Sequence, residues 1–470
     1  MSMIPVYPVD TLGQIEARWA AQHADTGRSL MVAAATSFIA AYPHYLSGQA
    51  SVLVVAGPGN NGGDGYAIAQ LLMMARVSVQ LYAPLGYPAP ERDAHAARSA
   101  FLSAGGVELR SWPPESPGVI VDALFGIGLN RMLEAPALAI VQAINRSGAI
   151  ILAVDMPSGL AASNGQLLPE SVQALATHCF IGYTPGLLTL WGPSCAGRLS
   201  LDRLGIAEQG TWRFHPELDG LPQRLGNTHK SEQGSVRVVG GRNNMAGAAI
   251  LSAQAALNAG AGRVYLYCDR EFFPAAVSRA PELMTLESLP RGANSAGCYI
   301  LGPGLGRDPG AADICQAVIA QASTGVMDAD ALRFLAEHRS PVPGWVLTPH
   351  EGEAAALLGV DSSAIRADRA GAALAIAQAY QAVTVLKGAG TLVAYGERLI
   401  FCQPGSPAMA TPGMGDCLAG IIGALLAQGL VAGQAAIQGV NWHAQLGSQL
   451  AREQRVVLAS DIIARLKYLP

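Results

Sequence analysis

The chain has 470 residues, half of them hydrophobic and 14% charged, with a formal net charge of −4 and no long basic run. That balance excludes a disordered chain and speaks against a nucleic-acid binder, while the length accommodates two large α/β domains. The seven Cys are odd in number and form no CxxC pair, the pattern of free thiols in a reducing compartment. No apolar stretch is long enough to span a membrane, and the opening segment MSMIPVYPVDTLGQIEARWA lacks the charged-then-apolar order of a signal peptide, so the expected location is the cytoplasm. Runs of Val, Ile and Leu at 51–57, 77–83, 118–126 and 149–159 predict buried parallel strands, with helices at Tyr66–Met74 and Ala137–Arg146 between them. The alternation pauses over Gly210–Lys230, rich in Gly, Pro and charge, which predicts a linker between domains at 1–215 and 225–470. It resumes with strands at 235–241 and 262–268 and continues through YILGPGLG, VMDADAL, WVLTPHEGE and VTVLKGAGT. It ends on an apolar helix within 411–430. The expected class is therefore α/β, without an internal repeat.

In the first half, Gly57-Pro58-Gly59-Asn60-Asn61-Gly62-Gly63-Asp64-Gly65 follows a strand and precedes a helix. Five glycines in nine residues let backbone approach a ligand closely, and the start of the next helix offers free N–H groups to an anion. Asp122 and Asp155 each close a strand-like run, in VDALFGIGL and VDMPSGL. A lone strand-end Asp is often only a helix cap. Two of them beside a glycine-rich segment, at the carboxyl ends of parallel strands, predict a shared crevice.

In the second half, Ala410-Thr411-Pro412-Gly413-Met414-Gly415-Asp416 runs into the apolar helix, aiming backbone N–H groups at a developing negative charge with Asp416 placed to accept a proton. Lys387-Gly388-Ala389-Gly390-Thr391 at a strand end suits a nucleotide phosphate, and a solvated hairpin loop fits the same residues. His350, in Thr348-Pro349-His350-Glu351-Gly352-Glu353, stands at another strand end, and Gly302-Pro303-Gly304 offers a further close-approach loop.

GPGNNGGDGYAIA, VDALFGIGL and VDMPSGL together resemble the NAD(P)HX epimerase domain, the YjeF N-terminal domain, over roughly residues 10–210. GPGLG, MDADAL, LTPHEGE, LKGAGT and the GMGD turn resemble the ADP-dependent NAD(P)HX dehydratase, the YjeF C-terminal domain of the ribokinase-like superfamily, over about 225–468. The resemblance implies a Rossmann-like three-layer αβα domain followed by a ribokinase-like α/β domain. It implies that Asn60, Asn61, Gly62, Gly63 and Asp64, with Gly126, Ile127, Gly128, Leu129, Asn130, Arg131 and Met132, hold the hydrate. It also implies that Asn61, Asp122 and Ser158 ligate K⁺ and that Asp155 acts as acid or base. In the second half it implies Asp416 as catalytic base, Ala248, Gly304 and His350 at the hydrate, and Lys387, Gly388, Ala389, Gly390, Thr391 and Gly415 at the adenine nucleotide, with Mg²⁺ and with ADP as phosphoryl donor. The implied partners are the small molecules NADHX and NADPHX and an adenine nucleotide, in a homo-oligomer that binds neither nucleic acid nor membrane. The chain departs from the pattern at Thr184, where the family carries Lys, at Ala161, where it carries an acid, and at the HKSEQG and PGMGD segments. Two other readings stay open on the residues: a small-alcohol kinase in the second half, and a first half that binds without catalysing.

Overall fold

The computed structural model describes residues 3–22, 28–47, 51–115, 117–207, 210, 212–223, 226–290 and 297–468. The chain divides into two compact units, Met1–Gly210 and Thr211–Pro470.

The first unit is built on a parallel sheet in the order Glu108–Leu109, Val79–Tyr82, Val52–Ala56, Val119–Ala123, Ile150–Val154, Ala176–Phe180, Arg198–Asp202. Successive strand residues point to opposite faces, so a buried parallel strand needs apolar residues at every position. The two faces bear this out. Val52, Val54, Val121 and Leu152 pack beneath the helices Val9–Gln22, Arg28–Ala41 and Asn60–Met74, whereas Leu53, Val55, Ile120 and Ile151 pack against Ala135–Arg146. Helices therefore cover both faces in an αβα arrangement. The strand order reverses between Val52–Ala56 and Val119–Ala123, and the crevice at their carboxyl ends is where a doubly wound sheet takes its ligand.

The helix after the first of these strands begins at Asn60, six residues earlier than the sequence predicts, so Asn60–Gly65 forms helix rather than loop. Packing, not only ligand approach, demands two of its glycines. A Cβ on Gly62 would fall onto the carbonyl oxygen of Gly57, and one on Gly63 would stand 2.6 Å from the Met31 methyl and 2.8 Å from the Ala94 backbone. Neither backbone can retreat without moving a strand end or a packed helix, so Gly62→Ala should destabilise the unit by roughly 3 kcal/mol, measured by urea unfolding.

The second unit carries a sheet ordered Trp212–His215, Arg398–Cys402, Leu392–Tyr395, Val383–Leu386, Trp345–Leu347, Gly325–Met327, Cys298–Leu301, Ser235–Val239, Arg263–Tyr267, Met284–Thr285. It is parallel except where Leu392–Tyr395 runs against both its neighbours. The expected linker thus contains a strand, Trp212–His215, paired with Arg398–Cys402; Thr211, Arg224 and Leu225 of that segment lie outside the described residues. Met414–Ala427 is buried without a break from Cys417 to Leu426, as its all-round apolar sequence requires. It packs between Ala246–Asn258, Ala432–Leu450 and the sheet, which fixes its N-terminus at the carboxyl edge of the strands. All seven Cys are free and buried. Among the described residues no helix is long and apolar enough to cross a membrane.

Candidate active site

In the first unit, a cavity of about 770 Å³ opens at the carboxyl ends of the strands, lined by Asn60, Asn61, Asp64, Gly126, Ile127, Gly128, Leu129, Asn130, Arg131 and Asp155. Three residues expected there differ. Gly62 and Gly63 are buried inside the helix by the packing just described, and the Met132 side chain is exposed and outside the cavity lining. Glu16, Tyr87 and Arg92 line the cavity and were not foreseen; Glu16 lies on Val9–Gln22, ahead of every motif, so no local pattern marks it.

The helix at Asn60 makes its first backbone bond from Gly63 N–H to Gly59 C=O (3.1 Å), leaving the N–H groups of Asn60, Asn61 and Gly62 without an intrahelical partner, the first two on residues that line the cavity. Asp155 takes a left-handed conformation (φ 63), which an Asp tolerates better than most residues. Burial, and then the negative charge of Glu16, push its carboxyl up to about 7. Asp64 is raised well above its ordinary value by burial and by Asp155 and Glu16.

Asp122 is fully buried and built into a bracket. Its Oδ2 accepts from Ser158 N–H (2.8 Å) and its Oδ1 from Ser158 Oγ (2.7 Å), while Ser158 Oγ accepts from Phe125 N–H (2.8 Å). Burial lifts Asp122 to about 6 against these bonds. In the same unit, the amide oxygen and nitrogen of Asn61 are buried and make no hydrogen bond to protein. A buried amide oxygen without a hydrogen-bond partner is costly unless a hard cation meets it, and together with the Asp122 carboxylate and the Ser158 hydroxyl the donor chemistry fits K⁺. The two departures lie together: Gly186 N–H donates to Ala162 C=O (2.7 Å) between Ala161 and Thr184, and the buried Thr184 hydroxyl donates to Met156 Sδ (3.3 Å).

In the second unit, Asp416 sits in the first turn of Met414–Ala427, after Gly413 at φ 86. The first helical bond runs from Cys417 N–H to Gly413 C=O (2.9 Å), so Met414, Gly415 and Asp416 have N–H groups without an intrahelical partner. These donors lie beyond Pro412, whose missing N–H therefore takes nothing from the hole. Ser252 Oγ donates to Asp416 C=O (2.8 Å), tying the turn to Ala246–Asn258. Burial first, then Asp328, push the Asp416 carboxyl up to about 7. Gly304 (φ 60) packs on Met245, two residues before Gly247 and three before Ala248, bringing both expected hydrate contacts to this edge.

Lys387, expected among the nucleotide contacts, also has carboxylate neighbours. Its ammonium is turned inward, donating to Asp328 Oδ1 (2.6 Å) and lying 3.8 Å from Glu353 Oε2. His350 also has a structural duty: its Nδ1 accepts from Gly352 N–H (3.0 Å) and Glu353 N–H (3.2 Å), capping Glu351–Leu358, while most of its ring stays exposed. The loop Gly388–Thr391 joins two antiparallel strands and is held from beneath by Arg369, whose buried guanidinium donates to the carbonyls of Leu386, Lys387 and Gly390 and pairs with Glu351 (3.0 Å). Asp328, Glu353 and Arg369 were not foreseen, although the first two stand inside MDADAL and LTPHEGE.

A family model described as NAD(P)H-hydrate dehydratase matches residues 236–467, and one described as YjeF-related protein N-terminus matches 27–186. The bifunctional NAD(P)H-hydrate repair enzyme Nnr of Coxiella burnetii is 36% identical, over 89% of this chain and 90% of its own length. That of Escherichia coli K12 is 38% identical over 88% of this chain and 84% of its length. A ribokinase-like superfamily protein from Enterococcus faecalis aligns in structure with TM-score 0.51 and 27% identity, over 55% of this chain and 95% of that one. With both halves matched in order and the likeness spanning most of each relative, the chain belongs to the family of bifunctional NAD(P)H-hydrate repair enzymes.

Proposed function

We propose that the chain repairs hydrated NADH and NADPH in two steps. The first unit interconverts the R and S epimers of the hydrate, and the second dehydrates the S epimer at the expense of ADP, giving NAD(P)H, AMP and phosphate. The observation that carries the reading is Asp416, a carboxylate held near neutrality next to three unpaired helical N–H groups. Asp416 takes the proton of the ring hydroxyl, and the oxygen attacks the terminal phosphoryl of ADP. The bond to AMP breaks while the N–H groups of Met414, Gly415 and Asp416 face the charge that develops. The ring C–O bond then breaks and releases phosphate, a proton leaves the neighbouring ring carbon, and the double bond re-forms. Gly388, Ala389, Gly390, Thr391 and Gly415 border the nucleotide; Ala248, Gly304 and the exposed edge of the His350 ring border the hydrate. Mg²⁺ supplies charge neutralisation on the transferring phosphoryl. The described residues hold no group of three or more His, Cys, Asp or Glu to cage it, which suits an ion that arrives on the nucleotide's own phosphates.

In the first unit the dinucleotide phosphates face Arg92, Arg131 and the helix end at Asn60, and Asp155 moves the proton of epimerisation. Asn61, Asp122 and Ser158 hold K⁺, which supplies a fixed positive charge. The cytoplasm, where the buried thiols stay reduced, supplies all the substrates.

The test is a mixture of R- and S-NADHX with ADP, Mg²⁺ and K⁺, followed by absorbance of the reduced nicotinamide. All of the hydrate should be recovered as NADH. With choline in place of K⁺, recovery should slow at least tenfold once the S epimer is consumed. A potassium-independent second phase overturns the cation assignment, and no NADH at all overturns the reading as a whole.

A further inference from the structure

Lys387 and Asp328 come from the ends of two parallel strands, and each meets the turn that carries Asp416. A Cβ on Gly415 would stand 3.2 Å from Lys387 Nζ and 3.5 Å from Asp328 Oδ2, so the ion pair lies directly against the residue before the proton acceptor. Asp328 is 2% exposed, and its Oδ1 accepts from both Lys387 Nζ (2.6 Å) and Thr348 Oγ1 (2.8 Å). The Lys387 side chain is 18% exposed and that of Asp328 3%, and a largely buried pair of this kind contributes little net stability. We propose that Lys387 and Asp328 are positioning residues for the dehydratase step: their ion pair sets the charge that the Asp416 carboxylate meets, and so the pH range in which it serves as base. The proposal rests on the reading of Asp416 as proton acceptor and assigns Lys387 a task beyond holding nucleotide.

The charged groups facing the turn support it. Asp328 and Glu353 raise the Asp416 carboxyl and Lys387 lowers it, burial being the larger cause. Glu353 itself is pushed up to about 7, mainly by burial. On Ala432–Leu450, His443 is buried, its Nε2 makes no hydrogen bond, and burial followed by the Lys387 charge bring it down to about 4, so it stays neutral and adds no competing charge. Lys387 is raised by its carboxylate neighbours against burial and stays cationic throughout. The two members of the pair therefore push Asp416 in opposite directions, so removing either one alone displaces the carboxyl in a direction of its own.

The experiment is the pH profile of NADH formation from S-NADHX at saturating ADP, for wild type, Lys387→Met, Asp328→Asn and Lys387→Arg. The acid limb, near pH 7 in wild type, should move up by about one unit in Lys387→Met, down by about one unit in Asp328→Asn, and stay in place in Lys387→Arg. In a folded variant too slow to assay, the ¹³C signal of the Asp416 carboxyl, identified by its loss in Asp416→Asn, should titrate with the same displacement. If neither substitution folds, Glu353→Gln, which removes one negative charge and leaves the pair intact, should move the limb down. Limbs that stay put, with KM for ADP raised in Lys387→Met, overturn the proposal and return Lys387 to the nucleotide. Wild-type turnover in Asp416→Asn removes the underlying reading instead.

Discussion

Asp416→Asn should lower dehydration of S-NADHX by at least about a thousandfold, some 4 kcal/mol of transition-state stabilisation, while the Kd for ADP stays within about threefold of wild type. The amide keeps the shape of the side chain, and the backbone N–H groups of the turn remain in place, so nucleotide binding loses little. Only the proton acceptor is gone. A second measurement separates this from damage to the fold. The folded-state carboxyl lies at about 7, well above its ordinary 3.8. A carboxyl raised in this way favours the folded state in acid and loses that advantage as pH climbs through the folded value, so its ionised form opposes folding above about pH 7. Asp416→Asn has no charge to bury and should be more stable than wild type at pH 8, by up to about 4 kcal/mol, with the difference closing as pH falls to about 4. Loss of turnover with a gain in alkaline stability is the signature of a group kept for chemistry at the expense of the fold. Wild-type turnover in this variant would sink the role.

What the sequence disclosed follows from the range of its signals. Strand–helix alternation is local, and it located Val52–Ala56, Val119–Ala123, Ile150–Val154 and Ser235–Val239 well, because a strand buried on both faces must be apolar throughout. The helix start at Asn60 is not legible in the sequence because Asn and Gly are poor helix formers. Here they are used for close packing on Gly57, which only the tertiary structure displays. Trp212–His215 was hidden in a polar, Pro-rich stretch because its partner, Arg398–Cys402, is far along the chain. The site divides in the same way. Asp155 and Asp416 stand in motifs and were legible; Glu16 and Arg92 reach the first cavity from segments without a motif. Lys387 was seen as a cation at a strand end, but its partner was not, since the pairing with Asp328 spans 59 positions and depends on two strands ending at one edge.

Asp155→Asn should slow R-to-S conversion by at least about a hundredfold while dehydration of S-NADHX proceeds at the wild-type rate. Asn adopts the left-handed conformation at least as readily as Asp, so φ 63 at this position presents no obstacle and the loop to Ser158 should hold its shape. With Thr184 and Ala161 uncharged, burial and Glu16 hold the Asp155 carboxyl at about 7, against the Phe180 backbone bond. At neutral pH the carboxyl is thus divided between its protonated and ionised forms, the condition for a single group that must both take and return a proton. The measurement is chiral separation of the hydrate remaining after the S epimer has been consumed: R-NADHX should accumulate unchanged with Asp155→Asn and disappear with wild type. If R-NADHX is consumed equally by both, Asp155 is not the proton carrier. If it persists with both, the charges missing at Thr184 and Ala161 were needed after all, and the first unit binds the hydrate without turning it over.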